Sequence, residues 1–191
     1  MKKFFIRLGT SISQKLPCLI KSFVYANGEL TLNVDASALS KVLFFLKYHT
    51  NLQYKVLVDM TAVDYPTRPN RFDVVYHLLS IKYNTRIRVK TVINELDSLE
   101  SMTNLYNSAG WAEREVWDMF GILFLNHKDL RRILTDYGFE GFPLRKDFPL
   151  SGYIAVRYDE FTKIVVCEPI EHAQEFRSFD LQTPWNSRII S

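Results

Sequence analysis

The chain gathers its most reactive side chains into one stretch. Glu113, Arg114, Glu115 and Asp118 stand among Trp111, Trp117 and Phe120, and His127, Asp129, Arg131 and Arg132 follow closely. Two neighbouring carboxylates suggest general acid–base work on one bond. On a helix, however, Glu113 and Glu115 point about 200° apart and cannot address one substrate. Two readings of the cluster stay open. It is a solvated helix with ordinary ion pairs, or a buried charge lattice that locks a loop and a partner surface in place.

The element that must position these groups is a helix over Trp111–Phe120, with Ser108 as its cap and Gly121 ending it in a left-handed turn. At about 100° per residue Ala112, Val116, Met119 and Phe120 share an apolar face. Arg114 and Asp118 are spaced to pair on the opposite side. Glu113 falls on the edge of the apolar face, between Trp117 and Phe120. A carboxylate there must find a cation or shift its pKa, and Arg131 and Arg132 are the nearest candidates in sequence.

Other chemistries find no support. There is no Gly-rich dinucleotide loop, no phosphate loop and no nucleophile–base pair with an orienting third group. Cys18 and Cys167 are far apart, and His49, His77, His127 and His172 are isolated, so no metal or iron–sulfur ligand set is expected. Free thiols point to a reducing compartment. The longest apolar run, Met119–Leu125, is far short of the roughly 18 residues a membrane helix needs, so membrane contact is expected only through a partner.

Upstream, Phe23–Tyr25 and Leu30–Leu32 flank Asn27-Gly28 and predict a hairpin over residues 20–34. Asp35 or Ser37 is placed to cap a helix in which Leu39, Val42, Leu43 and Leu46 recur through Tyr48. Three strands follow. Lys55–Met60 ends near an Asp64-Tyr65-Pro66 turn. Phe72, Val74, Tyr76 and Leu78 alternate on the second. Ile87, Val89, Thr91 and Ile93 alternate on the third, after a turn at Tyr83-Asn84. Leu96–Tyr106 reads as a short helix and Asp129–Leu134 as one more helical turn. The fold class is α+β, an antiparallel sheet with helices on one face, followed by a long extended C-terminal tail.

Arg86, Arg88 and Lys90 lie opposite the apolar residues of the third strand. They are a solvated sheet face or a docking face for an acidic partner. An RNA platform would want stacking aromatics beside them, which Asp73, Val75, His77 and Leu79 do not supply. The net charge of +3 is likewise low for a nucleic-acid binder, and it is uneven. Residues 1–110 hold 14 Lys or Arg against 8 Asp or Glu, and the remainder hold 10 against 13. A small RNA-binding α+β domain is the alternative from another class, and no nucleic acid is expected as partner.

Residues 1–19 form a basic arm, with Lys2, Lys3, Arg7 and Lys15 and no acid before Glu29. It resembles a mitochondrial targeting peptide. Because it begins at Met1, it is read as the start of an organelle-encoded or bacterial chain, or as an arm that docks on a neighbour. The α+β domain is expected over 20–134. Over 135–191 periodicity stops, with prolines at 143, 149, 169 and 184 and ten aromatics from Tyr137 to Trp185. Rings without a core must be buried elsewhere, at about 1.5–3 kcal/mol each, which offsets the ordering of an extended chain. The tail is therefore expected to strap onto another polypeptide, the alternative being a loose extension that packs back on its own domain.

Glu113-Arg114-Glu115, Asp118-Met119-Phe120, His127, Arg131 and Ile133-Leu134, at this spacing, resemble the signature of one family. It is the thirty-kilodalton subunit of respiratory NADH:ubiquinone oxidoreductase, complex I. The likeness continues through residues 131–141 and 143–153 and resumes at Val156-Arg157-Tyr158-Asp159 and Gln174-Glu175-Phe176-Arg177. Upstream it includes Val63-Asp64-Tyr65-Pro66 and Arg71–Tyr76, so it covers about residues 35–185. The resemblance implies a structural subunit of the matrix-side arm that clasps the forty-nine-kilodalton subunit and lies near iron–sulfur subunits. It implies no cofactor and no catalytic residue of its own. The complex would use FMN, iron–sulfur clusters and ubiquinone, and would couple NADH oxidation to proton translocation. The place implied is the mitochondrial inner membrane, matrix side, or the cytoplasmic face of a bacterial membrane. The equivalent subunit of a membrane-bound hydrogenase-like complex is the related alternative. Family-signature and interface candidates are Glu113, Arg114, Glu115, Asp118, His127, Arg131, Arg132, Arg145, Asp147, Tyr153, Arg157, Phe176, Arg177 and Trp185. Two positions depart from the family. Phe142 stands where relatives usually have His, and Ala155 where they usually have an acid, so polar contacts made there in relatives are not carried over.

Overall fold

In the computed structural model the Asn27-Gly28 turn takes φ of 52° and 86°, both left-handed, as a tight hairpin turn demands. It joins β1 (Ile20–Ala26) to β2 (Glu29–Val34). The structure describes residues 2–177 and 179, and the chain divides into two compact units, Met1–Pro149 and Leu150–Ser191.

The first unit is a five-stranded sheet of order β1-β2-β5-β4-β3, where β3 is Val56–Asp64, β4 Phe72–Ser80 and β5 Thr85–Ile93. All pairs are antiparallel except β2 with β5, which is parallel, so the sheet is mainly antiparallel with one join not anticipated from sequence. The inner face carries the expected alternation. Phe72, Val74, Tyr76 and Leu78 face the same side as Ile87, Val89, Thr91 and Ile93, and all eight are buried. Helix α2 (Leu39–Tyr48) closes that side with Leu39, Val42, Leu43 and Leu46. Neither Asp35 nor Ser37 caps it. A 3-10 turn over Ala36–Ala38 leads in, and Asp35 pairs with Lys21 instead.

The stretch expected as a basic arm forms helix α1 over Lys2–Lys15. It packs Phe5, Leu8 and Ile12 onto the core and leaves Lys3, Arg7 and Lys15 exposed. Helix α3 spans Ala109–Phe120, beginning earlier than the sequence pattern proposed. Ser108 is its N-cap residue, but the side chain makes no capping bond. Its hydroxyl donates to Leu57 O at 3.0 Å and fastens the helix start to β3.

Two further expectations are corrected. Leu96–Tyr106 is not helical. It runs as strand β6 (Ser98–Glu100), paired in parallel with β7 (Leu123–Leu125), and then as turns. Asp129–Leu134 forms no helical turn. In both stretches backbone N–H groups are drawn to a carboxylate of α3, and that tertiary bond displaces the local helix preference.

Residues 135–149 belong to the first unit, where Leu144 N–H donates to Met119 O at 3.1 Å. The second unit holds a hairpin that the sequence pattern did not anticipate, β8 (Ile154–Asp159) with β9 (Ile164–Pro169). Asp159 shapes its turn by accepting from Thr162 Oγ1 at 2.7 Å, and Lys163 takes a φ of 56°. Among the described residues no helix is long and apolar enough to cross a membrane.

Candidate functional site

Helix α3 is amphipathic in an unusual sense, because two of its buried side chains are carboxylates. Glu113 and Asp118 are both fully buried. A buried charge needs bonds to stay charged. The two carboxylates meet that demand differently.

Asp118 receives three consecutive backbone N–H groups on Oδ2, from Ile133 at 3.1 Å, Leu134 at 2.7 Å and Thr135 at 3.0 Å. Its Oδ1 accepts the Thr135 hydroxyl at 2.7 Å and Arg132 at 3.3 Å. Burial pushes this carboxyl up, but the bonds from Thr135, Leu134 and Ile133 together prevail and hold it below the usual range. Arg132 also donates twice to Gly141 O, at 3.0 Å each, so one salt bridge ties α3 to two points of the following segment. The expected Arg114–Asp118 pair does not form. Arg114 turns back to Gly110 O at 2.8 Å, lies over the Trp111 ring at 4.2 Å and comes within 3.9 Å of Asp129.

Glu113 is not paired with Arg131 or Arg132. It accepts from Ser101 Oγ at 2.6 Å and from Met102 N–H at 2.7 Å. Burial nevertheless pushes its carboxyl above the ordinary value, and these bonds offset only part of that. His127 Nε2 stands 3.8 Å away and 3.3 Å from Gly110 O. Its Nδ1 accepts the Asp129 N–H at 3.1 Å, so the ring proton is assigned to Nε2. Arg131 lies outside, exposed and bonded to Asp129 at 2.9 Å. Glu115 is exposed on the far side of the helix. The solvated-helix reading therefore holds for Glu115 alone, and Glu113 and Asp118 are the lattice.

A second set of charges meets the lattice at the end of the sheet. Arg71 makes two bonds to the buried Asp64, at 2.7 and 2.9 Å, and reaches Asp147 at 3.0 Å and Glu95 at 3.3 Å. Asp64 also accepts the Lys146 N–H at 2.8 Å. The hydrogen bonds from Arg71 hold the Asp64 carboxyl below its usual range and raise the guanidinium in turn. Arg145 donates to Phe120 O at 2.6 Å and bonds Glu95. Sequence reasoning named Arg145 and Asp147 but overlooked Asp64, Arg71, Glu95 and Ser101 as members. Asp64 and Arg71 had a signal, since they flank one β3–β4 connection. Glu95 and Ser101 had none.

Gly121 is required at the crossing. Its φ is 76°, and a Cβ there would stand 2.6 Å from the Phe142 ring. That ring lies edge-on to Trp117 at 6.1 Å, with the Arg145 and Arg132 guanidiniums 4.6 and 5.1 Å from its centre. Phe142 thus packs between two cations.

What the lattice does is mechanical. It pins residues 132–147 against α3 and the sheet end. The pinned segment then presents an apolar rim of Leu134, Tyr137 and Leu144, and Tyr137 has its full surface open to solvent. On the outer sheet face Arg88 bonds Glu29 and Lys90 bonds the buried Asp73, so two of the three cations weighed for an acidic or RNA partner are already engaged.

In the second unit Arg157 bonds Glu168 at 2.7 and 2.9 Å, Phe176 packs edge-on to His172 at 5.8 Å, and Arg177 lies 5.5 Å from the Phe179 ring centre. Tyr153 O accepts the Ile170 N–H at 3.0 Å. Trp185 lies outside the described residues. Cys18 and Cys167 are free and exposed, and among the described residues no cluster could hold a metal ion.

These features define an α+β protein whose charged motif is an internal brace behind exposed apolar surface. Residues 32–154 match the family described as the respiratory-chain NADH dehydrogenase, 30 Kd subunit, and the chain belongs to that family. It is 53% identical over 189 residues to NADH-ubiquinone oxidoreductase subunit 9 of Reclinomonas americana, covering 99% of this chain and 93% of that one. It is 62% identical over 156 residues to the NADH dehydrogenase [ubiquinone] iron-sulfur protein 3 of Arabidopsis thaliana, covering 82% of each chain. A bacterial relative, one subunit of the NADH-quinone oxidoreductase of Paramagnetospirillum magneticum, is 55% identical over 93% of this chain and 90% of its own. Among solved structures, a chain of the membrane-bound sulfane sulfur reductase, an archaeal respiratory membrane complex, superposes with a TM-score of 0.65 at 26% identity. That match covers 75% of this chain and 85% of the other.

Proposed function

We propose that this chain is a structural and assembly subunit of the peripheral arm of respiratory complex I. It clasps the forty-nine-kilodalton subunit and neighbouring iron–sulfur subunits of the quinone module. It holds no cofactor itself. FMN, the iron–sulfur clusters and ubiquinone belong to other chains, whose electron transfer from NADH is coupled to proton translocation. Attachment to the mitochondrial inner membrane on the matrix side, or to a bacterial membrane on its cytoplasmic face, is through those partners. The carrying observation is the second unit. Among its described residues most large apolar side chains are exposed, Phe161 at 96% and Leu150 at 86%, and a two-stranded hairpin is marginal without something to pack on.

The same archaeal likeness favours membership of a wider group of membrane complexes. Identity of 53% to an NADH-ubiquinone oxidoreductase subunit against 26% to the sulfur reductase chain favours the complex I assignment. Deletion of residues 150–191 tests the role. A cut at 135 would also remove Thr135 and Arg145 from the lattice, so the later boundary is the informative one. The shortened chain is expected to keep the first unit folded, to be missing from the complex on native gels, and to abolish NADH:ubiquinone activity. Normal assembly and activity would refute the role.

A further inference from the structure

The hairpin in the second unit is two-faced. Its register sets Ile154 opposite Pro169, Val156 opposite Cys167 and Tyr158 opposite Val165. Because side chains alternate along a strand, these six share one face. That face carries no charge, and its large members are more than half exposed. The other face is mixed: beside Ala155, Val166 and the exposed Ile164 it carries Arg157, Asp159 and Glu168, which satisfy one another, with Arg157 2.7 Å from Glu168 and 3.7 Å from Asp159. Charges that neutralise one another need no partner, whereas a face with no charge at all, exposed to water, does.

We infer that the Ile154–Val156–Tyr158/Val165–Cys167–Pro169 face is the surface by which this unit docks on an apolar, uncharged protein surface of a neighbouring subunit. The inference rests on the assembly role proposed above and adds which face is sealed. Charge argues against lipid. The hairpin carries Asp159, Glu160 and Glu168 against Arg157 and Lys163, whereas elements that lie on membranes are enriched in cations. Size argues against a second copy of the chain. A two-stranded face of this length measures about 20 by 10 Å, so self-pairing would bury roughly 400 Å² in all, by strand spacing. A specific interface needs about 1,000 Å² or more. A larger partner surface, engaging more of this chain than the hairpin face, is therefore required.

The test uses the full chain and the assembled complex. With Cys18→Ser, Cys167 is the only thiol left in this chain, so maleimide labelling followed by recovery of this chain reads the face directly. Labelling is expected to be at least about tenfold slower in the complex than in the free chain, since reaction needs an accessible thiolate. Equal rates overturn the inference. Independently, Val156→Asp and Val165→Asp are expected to lower incorporation below about a tenth of wild type, because a carboxylate would be buried unpaired. Ala155→Asp, on the opposite face, is expected to incorporate normally. Equal incorporation of all three variants, or failure of all three, overturns the face assignment while the assembly role stands. Absence of the wild-type chain from the complex instead overturns the role. Val165-dependent sedimentation with anionic vesicles would make lipid the occupant, and Val165-dependent dimers would make it a second copy. Either result overturns the inference.

Discussion

Asp118→Ala is the perturbation that most directly tests the brace. The carboxylate is fully buried and serves three backbone N–H groups, the Thr135 hydroxyl and Arg132. Each donor left without an acceptor costs on the order of 1–3 kcal/mol when buried. The 133–135 segment is only half-buried, so water reaches part of it, and about 1 kcal/mol per lost donor is the appropriate figure. The expected loss is about 3–5 kcal/mol, a large share of the stability of an ordinary domain. Asp118→Asn retains one acceptor oxygen for the N–H groups and turns an amide toward Arg132, so about 1–2 kcal/mol is expected. Urea unfolding of the full chain, followed by the fluorescence of Trp117 beside Phe142, gives both numbers. Limited trypsin digestion should show Arg132 and Arg145 cleaved first in the alanine variant. The sign with pH is fixed. The folded carboxyl lies below its ordinary 3.8, so its contribution is present above that value and is lost as pH falls through the folded pKa. Asp118→Asn should lack that acid-side loss. A cost below about 1 kcal/mol for Asp118→Ala, or equal costs for both variants, would refute the brace.

Glu113→Ala leaves Met102 N–H and Ser101 Oγ without their acceptor, and should cost about 2–4 kcal/mol by the same unfolding assay, against under about 1 for Glu113→Gln. Its carboxyl is raised above 4.5, so the folded state holds its proton longer and stability falls as pH rises from 4.5 through the folded pKa. A pH series of Glu113→Gln should show that fall removed. Arg71→Ala strands the buried Asp64 and should cost about 3–5 kcal/mol in urea titration, and Arg71→Lys should recover little because it cannot bond both oxygens. Gly121→Ala should cost at least about 2 kcal/mol from left-handed strain and the Phe142 clash. In a double-mutant cycle Phe142→Ala should return the clash portion and leave the backbone portion.

The elements were legible wherever a local pattern reports burial. The alternation of Phe72, Val74, Tyr76 and Leu78, the recurrence of Leu39, Val42, Leu43 and Leu46, the Asn27-Gly28 turn and the stop at Gly121 all appear as read. The lattice was legible as a cluster and illegible as a set of bonds. Arg114 and Asp118 have the spacing of a helical pair, yet Asp118 points inward to three N–H groups and Arg114 folds back on its own helix. Glu113 looked for an arginine and found a serine and a backbone amide. Leu96–Tyr106 had enough apolar residues for a helix, but Leu96 is 93% exposed and Ser101 and Met102 are held by Glu113.

The amino-acid order by itself determined the faces that β4, β5 and α2 bury and the turn at Asn27-Gly28, and it set the expectation that residues 135–191 lack a core of their own. Tertiary structure alone decided the partners of the charges, the parallel join of β2 to β5, and the two faces of the 154–169 hairpin. The physical reason is range. Periodicity is a relation between residues a turn or a pleat apart, whereas Lys146 meets Asp64 across 82 residues, and nothing local to either residue specifies the other.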